Sequence, residues 1–295
     1  MLIFKMLSFE KHLNFHRLSF LIYFLSILSS SLIFFPADLS GQGDLLITPR
    51  RVVFEGSKRS IDLSLANSGQ DTATYAISLV QIRMKEDGSF ETITEPDPGQ
   101  RFADPYIRFF PRSVSLGPNE AQVVKVQLTK TNELTEGEYR SHFYFRAVPK
   151  PTALGEEDKL IDSSSISVKL TPIFGITIPV IIRKGESTVK ITLTELAYQT
   201  VNDTIPQLSM TFNRSGNMSV YGDLTVDHIS PQGKITKVGI ANGIAVYTPN
   251  KARHILLNLN KLPGVDYKTG TLRVIYSASS DVKPVRFAEA ELALQ

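Results

Sequence analysis

The chain has 295 residues, 42% of them apolar and 21% charged, which is ordinary for globular protein and argues against wholesale disorder. It contains no Cys and no Trp, so a thiol nucleophile, a cysteine zinc site, an iron–sulfur cluster and any disulfide framework are excluded. Thirty-two basic and 29 acidic residues leave a net charge of +3, too even for a nucleic-acid binder driven by bulk charge.

The first forty residues differ from the rest. Lys5, Lys11 and Arg17 precede a run over 18–35 that carries no charge, and Pro36 and the small residues of Ser40-Gly-Gln-Gly-Asp follow it. A basic segment, an apolar stretch and a short polar exit read as a secretory signal peptide over residues 1–41. An uncleaved anchor is the alternative, because 18 residues approach the length of a spanning helix, but four serines near its centre weaken it. The chain is therefore expected to be exported and periplasmic. Without cysteine it must be held by ordinary hydrophobic cores.

From residue 44 onward the pattern is that of strands. Ser60-Ile-Asp-Leu-Ser-Leu-Ala alternates polar and apolar with period two, as do residues 121–128, 138–145 and 166–170. Asn67-Ser-Gly, Glu86-Asp-Gly, Asp97-Pro-Gly, Gly117-Pro-Asn and Glu136-Gly supply turns between them. A second set of strands starts after Arg183-Lys-Gly-Glu, at 187–193, and continues at 208–213, 220–226, 239–247, 254–259 and 271–276. No stretch shows sustained helical periodicity. The expected fold is all-β, two tandem immunoglobulin-like β-sandwiches spanning 44–183 and 186–295. Between two convincing strands, residues 150–164 form a long polar loop, which reads as a solvated hairpin tip.

The chemistry of catalysis is missing. His142, His228 and His254 have no metal-ligand spacing, and no HExxH, EF-hand, G-x-S-x-G, P-loop or dinucleotide motif occurs. All three histidines read as surface or strand-edge residues, and the carboxylates of Glu156-Glu-Asp as solvating charge. We expect no catalytic residue, no metal and no cofactor. What remains is binding through a strand edge. Residues 166–182 are alternating and rich in β-branched side chains, longer than one sandwich needs, and an exposed edge of that kind is a template for another chain. Pro172 and Pro179 interrupt its donors, as edge strands tolerate. An ordinary closing strand, broken at Pro172 or Gly175 and paired internally, is the other reading.

These segments together resemble a known family, the periplasmic chaperones of pilus and fimbria assembly (PapD-like). The resemblance lies in Arg51-Val-Val-Phe-Glu-Gly and Ser60-Ile-Asp-Leu-Ser-Leu-Ala-Asn, then in Ile107-Arg-Phe-Phe-Pro-Arg-Ser-Val-Ser-Leu-Gly-Pro-Asn-Glu-Ala-Gln-Val-Val-Lys-Val. It continues in Glu136-Gly-Glu-Tyr-Arg-Ser-His-Phe-Tyr-Phe-Arg and Gly175-Ile-Thr-Ile-Pro-Val-Ile-Ile-Arg, in family order over residues 45–183. The second half resembles the family only as another small β-domain.

The resemblance implies a non-enzymatic chaperone that lends an edge strand to an exported, pilin-like β-sandwich subunit. Ile166, Val168 and Leu170 would supply the donated side chains, with Phe174 as an extension. Arg51 matches the arginine that anchors the subunit's C-terminal carboxylate between the domains, a task suited to its planar fork. The family's cleft lysine has no counterpart in Gly175-Ile-Thr-Ile-Pro-Val, and Lys169 is its only substitute. An outer-membrane usher would be a second partner, and a free donor strand exposes the chain to self-association. Two further readings stand beside this one: a structural or adhesive two-domain module, and a carbohydrate-binding module that would have to rely on tyrosines.

Overall fold

The computed structural model describes residues 44–149, 173–202, 204–278 and 285–294. It is all-β there, with one short 3-10 turn at Asp104–Tyr106. The strands in chain order are β1 (Leu45–Thr48), β2 (Val52–Phe54), β3 (Ser60–Asn67), β4 (Ala73–Val80), β5 (Ile82–Met84), β6 (Phe90–Thr92), β7 (Ile107–Phe110), β8 (Ser113–Leu116) and β9 (Ala121–Leu128). They continue as β10 (Gly137–Val148), β11 (Gly175–Lys184), β12 (Lys190–Val201), β13 (Ile205–Ser215), β14 (Val220–Ile229), β15 (Ile235–Val246), β16 (Ala252–Asn258), β17 (Thr271–Ala278) and β18 (Arg286–Ala293).

Strands up to β11 form two facing sheets, in the orders β1-β3-β9-β7 and β2-β11-β10-β4-β8. Strands from β12 onward form two more, β12-β13-β16 and β15-β14-β17-β18. Each pair encloses one core, so the fold is two β-sandwiches, as the alternating pattern predicts. In the first, Leu63 and Leu65 of β3 and Val124 and Val126 of β9 meet Phe143 and Phe145 of β10, all fully buried. The Phe109 and Phe143 rings meet edge to face at 5.1 Å, the arrangement the ring quadrupoles favour. In the second, Phe212 packs edge to face on Tyr276 at 5.0 Å, and the Tyr276 hydroxyl donates to the Ile244 carbonyl at 2.8 Å.

Two features escape the period-two reading. Two of the crossings between sheets, from β1 to β2 and from β7 to β8, each contain an X-Pro peptide in the cis form, Thr48–Pro49 and Phe110–Pro111. The β5–β6 hairpin belongs to neither sheet and packs on the second sandwich, where Met84 joins Ile181, Ala245 and Tyr247 in a third small core. Asn250 Nδ2 donates to the Met84 carbonyl at 2.7 Å, and the His254 backbone N–H donates to the Glu86 carbonyl at 2.7 Å. The hairpin is a strut between the sandwiches.

Two of the three histidines correct the expectation of surface positions. His142 is 4% exposed beneath the second sandwich, and His228 is 3% exposed with Nε2 between the carbonyls of Asp266 and Thr269. Both carbonyls accept, so His228 Nε2 carries its proton. Only His254 lies on an edge strand, half exposed.

Replacing Phe143 by Ala removes a fully buried ring from the centre of the first core. We expect a loss of about 3–5 kcal/mol in urea unfolding. A loss near zero would place this ring outside the cooperative core.

Candidate binding site: an open strand edge and a basic cleft

β11 is long because one side of it is fully paired. From Gly175 opposite Arg146 to Lys184 opposite Gly137 it runs antiparallel to β10, and the Ala147 N–H extends the ladder to the Phe174 carbonyl at 2.9 Å. Its other side is paired only at Val180–Ile182, where β2 lies parallel to it. Among the described residues, nothing pairs with that side from Gly175 to Pro179. Ile176 and Ile178 point into the first core, and Phe174, in phase with them, is 47% exposed where the core ends. This is a free, apolar edge of the kind that accepts another strand.

Register places Arg51 at the end of that edge. Val52 lies opposite Val180, so the residue before it stands where a strand occupying the open row would stop. Arg51 Nη1 donates to the Tyr247 hydroxyl at 3.1 Å, and the guanidinium lies over the rings of Tyr221 at 4.5 Å and Tyr247 at 5.5 Å.

A second cation lies deeper. Alternation along β10 turns Glu138, Arg140 and His142 to the outer face of the sheet, and the second sandwich and the hairpin cover that face. Glu138, its side chain fully buried, accepts from Arg183 Nε at 3.2 Å, from the Ser219 backbone N–H at 3.1 Å and from Ser219 Oγ at 2.7 Å. Thr248 Oγ1 donates to its other oxygen at 3.3 Å. Glu138 is thereby saturated by Arg183 and the second sandwich.

Arg140 has no carboxylate of its own. It is 2% exposed, with Nη2 donating to the Thr248 carbonyl at 3.2 Å and its guanidinium 4.2 Å over the Tyr247 ring. Nε and Nη1 are buried without an acceptor, as is Nδ1 of His142 next door. Burial pulls the Arg140 guanidinium below its ordinary value, with Tyr247 and Glu138 opposing and Arg51 adding to the fall. His142 is pushed down to about 3 by burial first, then by the charges of Arg140 and Arg51. The ring is neutral at ordinary pH and packs edge-on against Phe90 and Tyr247. The cleft is therefore a pair of guanidiniums walled by aromatic rings and short of acceptors.

Of the residues singled out from the sequence, the fold brings Arg51 and Phe174 to the two ends of one edge. Ile166, Val168, Lys169 and Leu170 lie outside the described residues, as does the polar loop at 150–164. Sequence reasoning missed Arg140, Tyr221 and Tyr247. The available signal was the spacing of Glu138, Arg140 and His142, three ionisable side chains on one face of an aromatic strand.

The buried neutral His142 makes acid destabilising. Below about 6.5 the unfolded chain binds a proton that the native ring refuses until about 3. Stability should fall as pH drops through that window, with a slope approaching ~1.4 kcal/mol per pH unit from this group. Chemical denaturation of wild type and His142→Leu at a series of pH values checks it. The variant should show a shallower slope, and identical slopes would remove His142 as the cause.

The sequence matches no family model, and no curated protein matches it. In fold the chain is similar to several solved structures. These include the YadV chaperone, at a TM-score of 0.42 and 13% identity over 85% of this chain and all of that one. The CupB2 chaperone of Pseudomonas aeruginosa is similar at a TM-score of 0.40 and 13% identity, again over 85% of this chain and all of that one. A Salmonella enterica structure of the SafA pilin in complex with the SafB chaperone is similar at 0.40 and 14%, over 88% and 99%. Likeness at this level assigns no residue of this chain a role.

Proposed function

We propose that the chain is an exported, non-enzymatic chaperone that caps β-sandwich subunits by strand donation, its first domain spanning 44–183 and its second 186–295. In this reading residues 1–41 direct export to the periplasm and are removed. The observation that carries the proposal is the open edge of β11 ending beside Arg51, near buried Arg140, whose Nε and Nη1 have no acceptor among the described residues.

Charge chooses the direction of the partner strand. A strand parallel to β11 would end with its C-terminus at Arg51, whereas an antiparallel one would bring its N-terminal ammonium there. Two guanidiniums accept the carboxylate and repel the ammonium. The partner is therefore a subunit whose last strand lies parallel along residues 174–179 with its free carboxylate on Arg51 and Arg140. Arg140 takes the place of the family's cleft lysine, and Lys169 becomes dispensable for the anchor. Phe174 begins the donated face, which Leu170, Val168 and Ile166 extend by the same phase. Main-chain hydrogen bonds hold the pair, so no cofactor or nucleotide is needed. An outer-membrane usher would then receive the subunit.

The test is co-purification of the tagged protein from the periplasm of its host. A small exported β-rich subunit should be recovered at a near one-to-one ratio. Arg51→Ala and Arg140→Met should each weaken subunit capture by about tenfold to a hundredfold while thermal unfolding of Arg51→Ala is unchanged. Adding one C-terminal residue to the subunit, which moves its carboxylate, should have a comparable effect. Recovery of the protein alone, or capture indifferent to both arginines, would favour a self-contained structural module.

A further inference from the structure

A second strand-accepting feature lies on the other sandwich. Its two sheets end on one side at β16 and β15, and among the described residues neither strand has a ladder partner on that side. Between them is a cavity of about 630 Å³ floored by Met210, Ala241, Ile244, Ile255 and Leu257. Ile255 and Leu257 point inward yet remain only partly buried, and no residue of β16 is fully buried.

The backbone of β16 shows which groups are free. The Leu259 N–H turns toward β13, donating to the Pro206 carbonyl, whereas the His254 N–H turns outward to the Glu86 carbonyl. By strand alternation Leu256 and Asn258 also turn their N–H and C=O outward, and among the described residues no backbone group meets them. The groove has two closed ends. The Asn260 N–H bonds the Val238 carbonyl at one, and the β5–β6 hairpin covers the other. The hairpin sits tightly there, because a Cβ on Gly88, at φ +84°, would lie 2.6 Å from Arg253 Nη2. The open length from His254 to Asn258 is about 13 Å, enough for an extended segment of four or five residues.

Three carboxylates gather at the hairpin end, with Lys85 and Arg253 near Asp87. Asp87 and Glu195 line the cavity, and Glu86 stands beside His254. The Asp87 carboxyl is held below its usual range by Ser89 hydrogen bonds, and so is ionised. Glu195 forms no ion pair among the described residues, accepting only from the Thr211 hydroxyl at 2.6 Å. Arg253 also lines the cavity, its guanidinium beneath Gly88 with Nη1 on the Ala245 carbonyl.

We infer that this groove docks a short extended segment of a partner protein, one that places a basic side chain at the hairpin end and alternate apolar side chains on the cavity floor. The backbone bond from His254 to Glu86 is the first rung of that ladder, and the segment continues it at Leu256 and Asn258. The site is separate from the β11 edge and does not depend on its function.

The test uses the full chain with the blocked peptide acetyl-KVTVTV-amide and its counterpart acetyl-EVTVTV-amide, neither of which has a carboxyl terminus for the basic cleft. Hydrogen exchange at the Leu256 and Asn258 amides should slow when the lysine peptide binds. The glutamate peptide should bind about tenfold more weakly, and Asp87→Lys should reverse that order. Leu256→Pro, which removes an outward N–H without touching the β13 ladder, should abolish binding while the circular dichroism stays native. The inference is overturned by unchanged exchange at both amides, by equal affinity for the two peptides, or by protection confined to residues 174–178. Protection that grows with protein concentration in the absence of peptide would overturn it in favour of a second copy.

Discussion

The buried carboxylate of Glu138 is the constraint on which the relation between the two sandwiches depends. It lies on β10 opposite Arg183 on β11, and its remaining lone pairs are taken by Ser219 and Thr248 of the second sandwich. Burying a carboxylate is costly unless charge and hydrogen bonds compensate, and here both do. Such a group is satisfied in one arrangement of the domains and unsatisfied in any other. Removing one partner from a buried pair of this kind costs about 3–5 kcal/mol, so the geometry it selects is firmly held.

That saturation shapes the cleft beside it. Arg140 lies two residues along the same strand face, covered by the same domain, yet Glu138 is already committed and Arg140 forms no ion pair among the described residues. The Thr248 carbonyl and the Tyr247 ring offset only part of the cost of burying this guanidinium, since Nε and Nη1 have no acceptor among the described residues. Retaining it makes sense where an outside anion completes the site. The Tyr247 ring supports it from one side and holds Arg51 through its hydroxyl, so one tyrosine joins both cations. The Gly175–Pro179 stretch of β11, which β2 leaves unpaired, ends beside Arg51.

Much of this was legible before the fold was known. Strand positions followed from period-two alternation, because a residue on a half-buried sheet sees core and solvent in turn. Ser60–Asn67 and Ala121–Leu128 follow the alternation directly. The sheet switches at Pro49 and Pro111 and the docking of the β5–β6 hairpin were not legible, since alternation states which face is buried and not which sheet the strand joins. His142 and His228 read as surface or strand-edge residues in the sequence because no partner motif accompanies them. They are buried because a neighbouring domain and two backbone carbonyls, contributed from distant sequence, surround them.

The amino-acid sequence by itself determined that the described chain is all-β and that it has no thiol chemistry. Those properties depend on residue type and local period. Tertiary structure alone decided that Glu138 is paired with Arg183 while Nε and Nη1 of Arg140 have no acceptor among the described residues, and that β2 covers Val180–Ile182 of β11 and leaves Gly175–Pro179 open. Both outcomes rest on contacts between segments far apart in the chain, Glu138 with Ser219 and Val52 with Val180. Hydrogen-bond satisfaction is a property of the assembled neighbourhood, and no spacing within one strand encodes it.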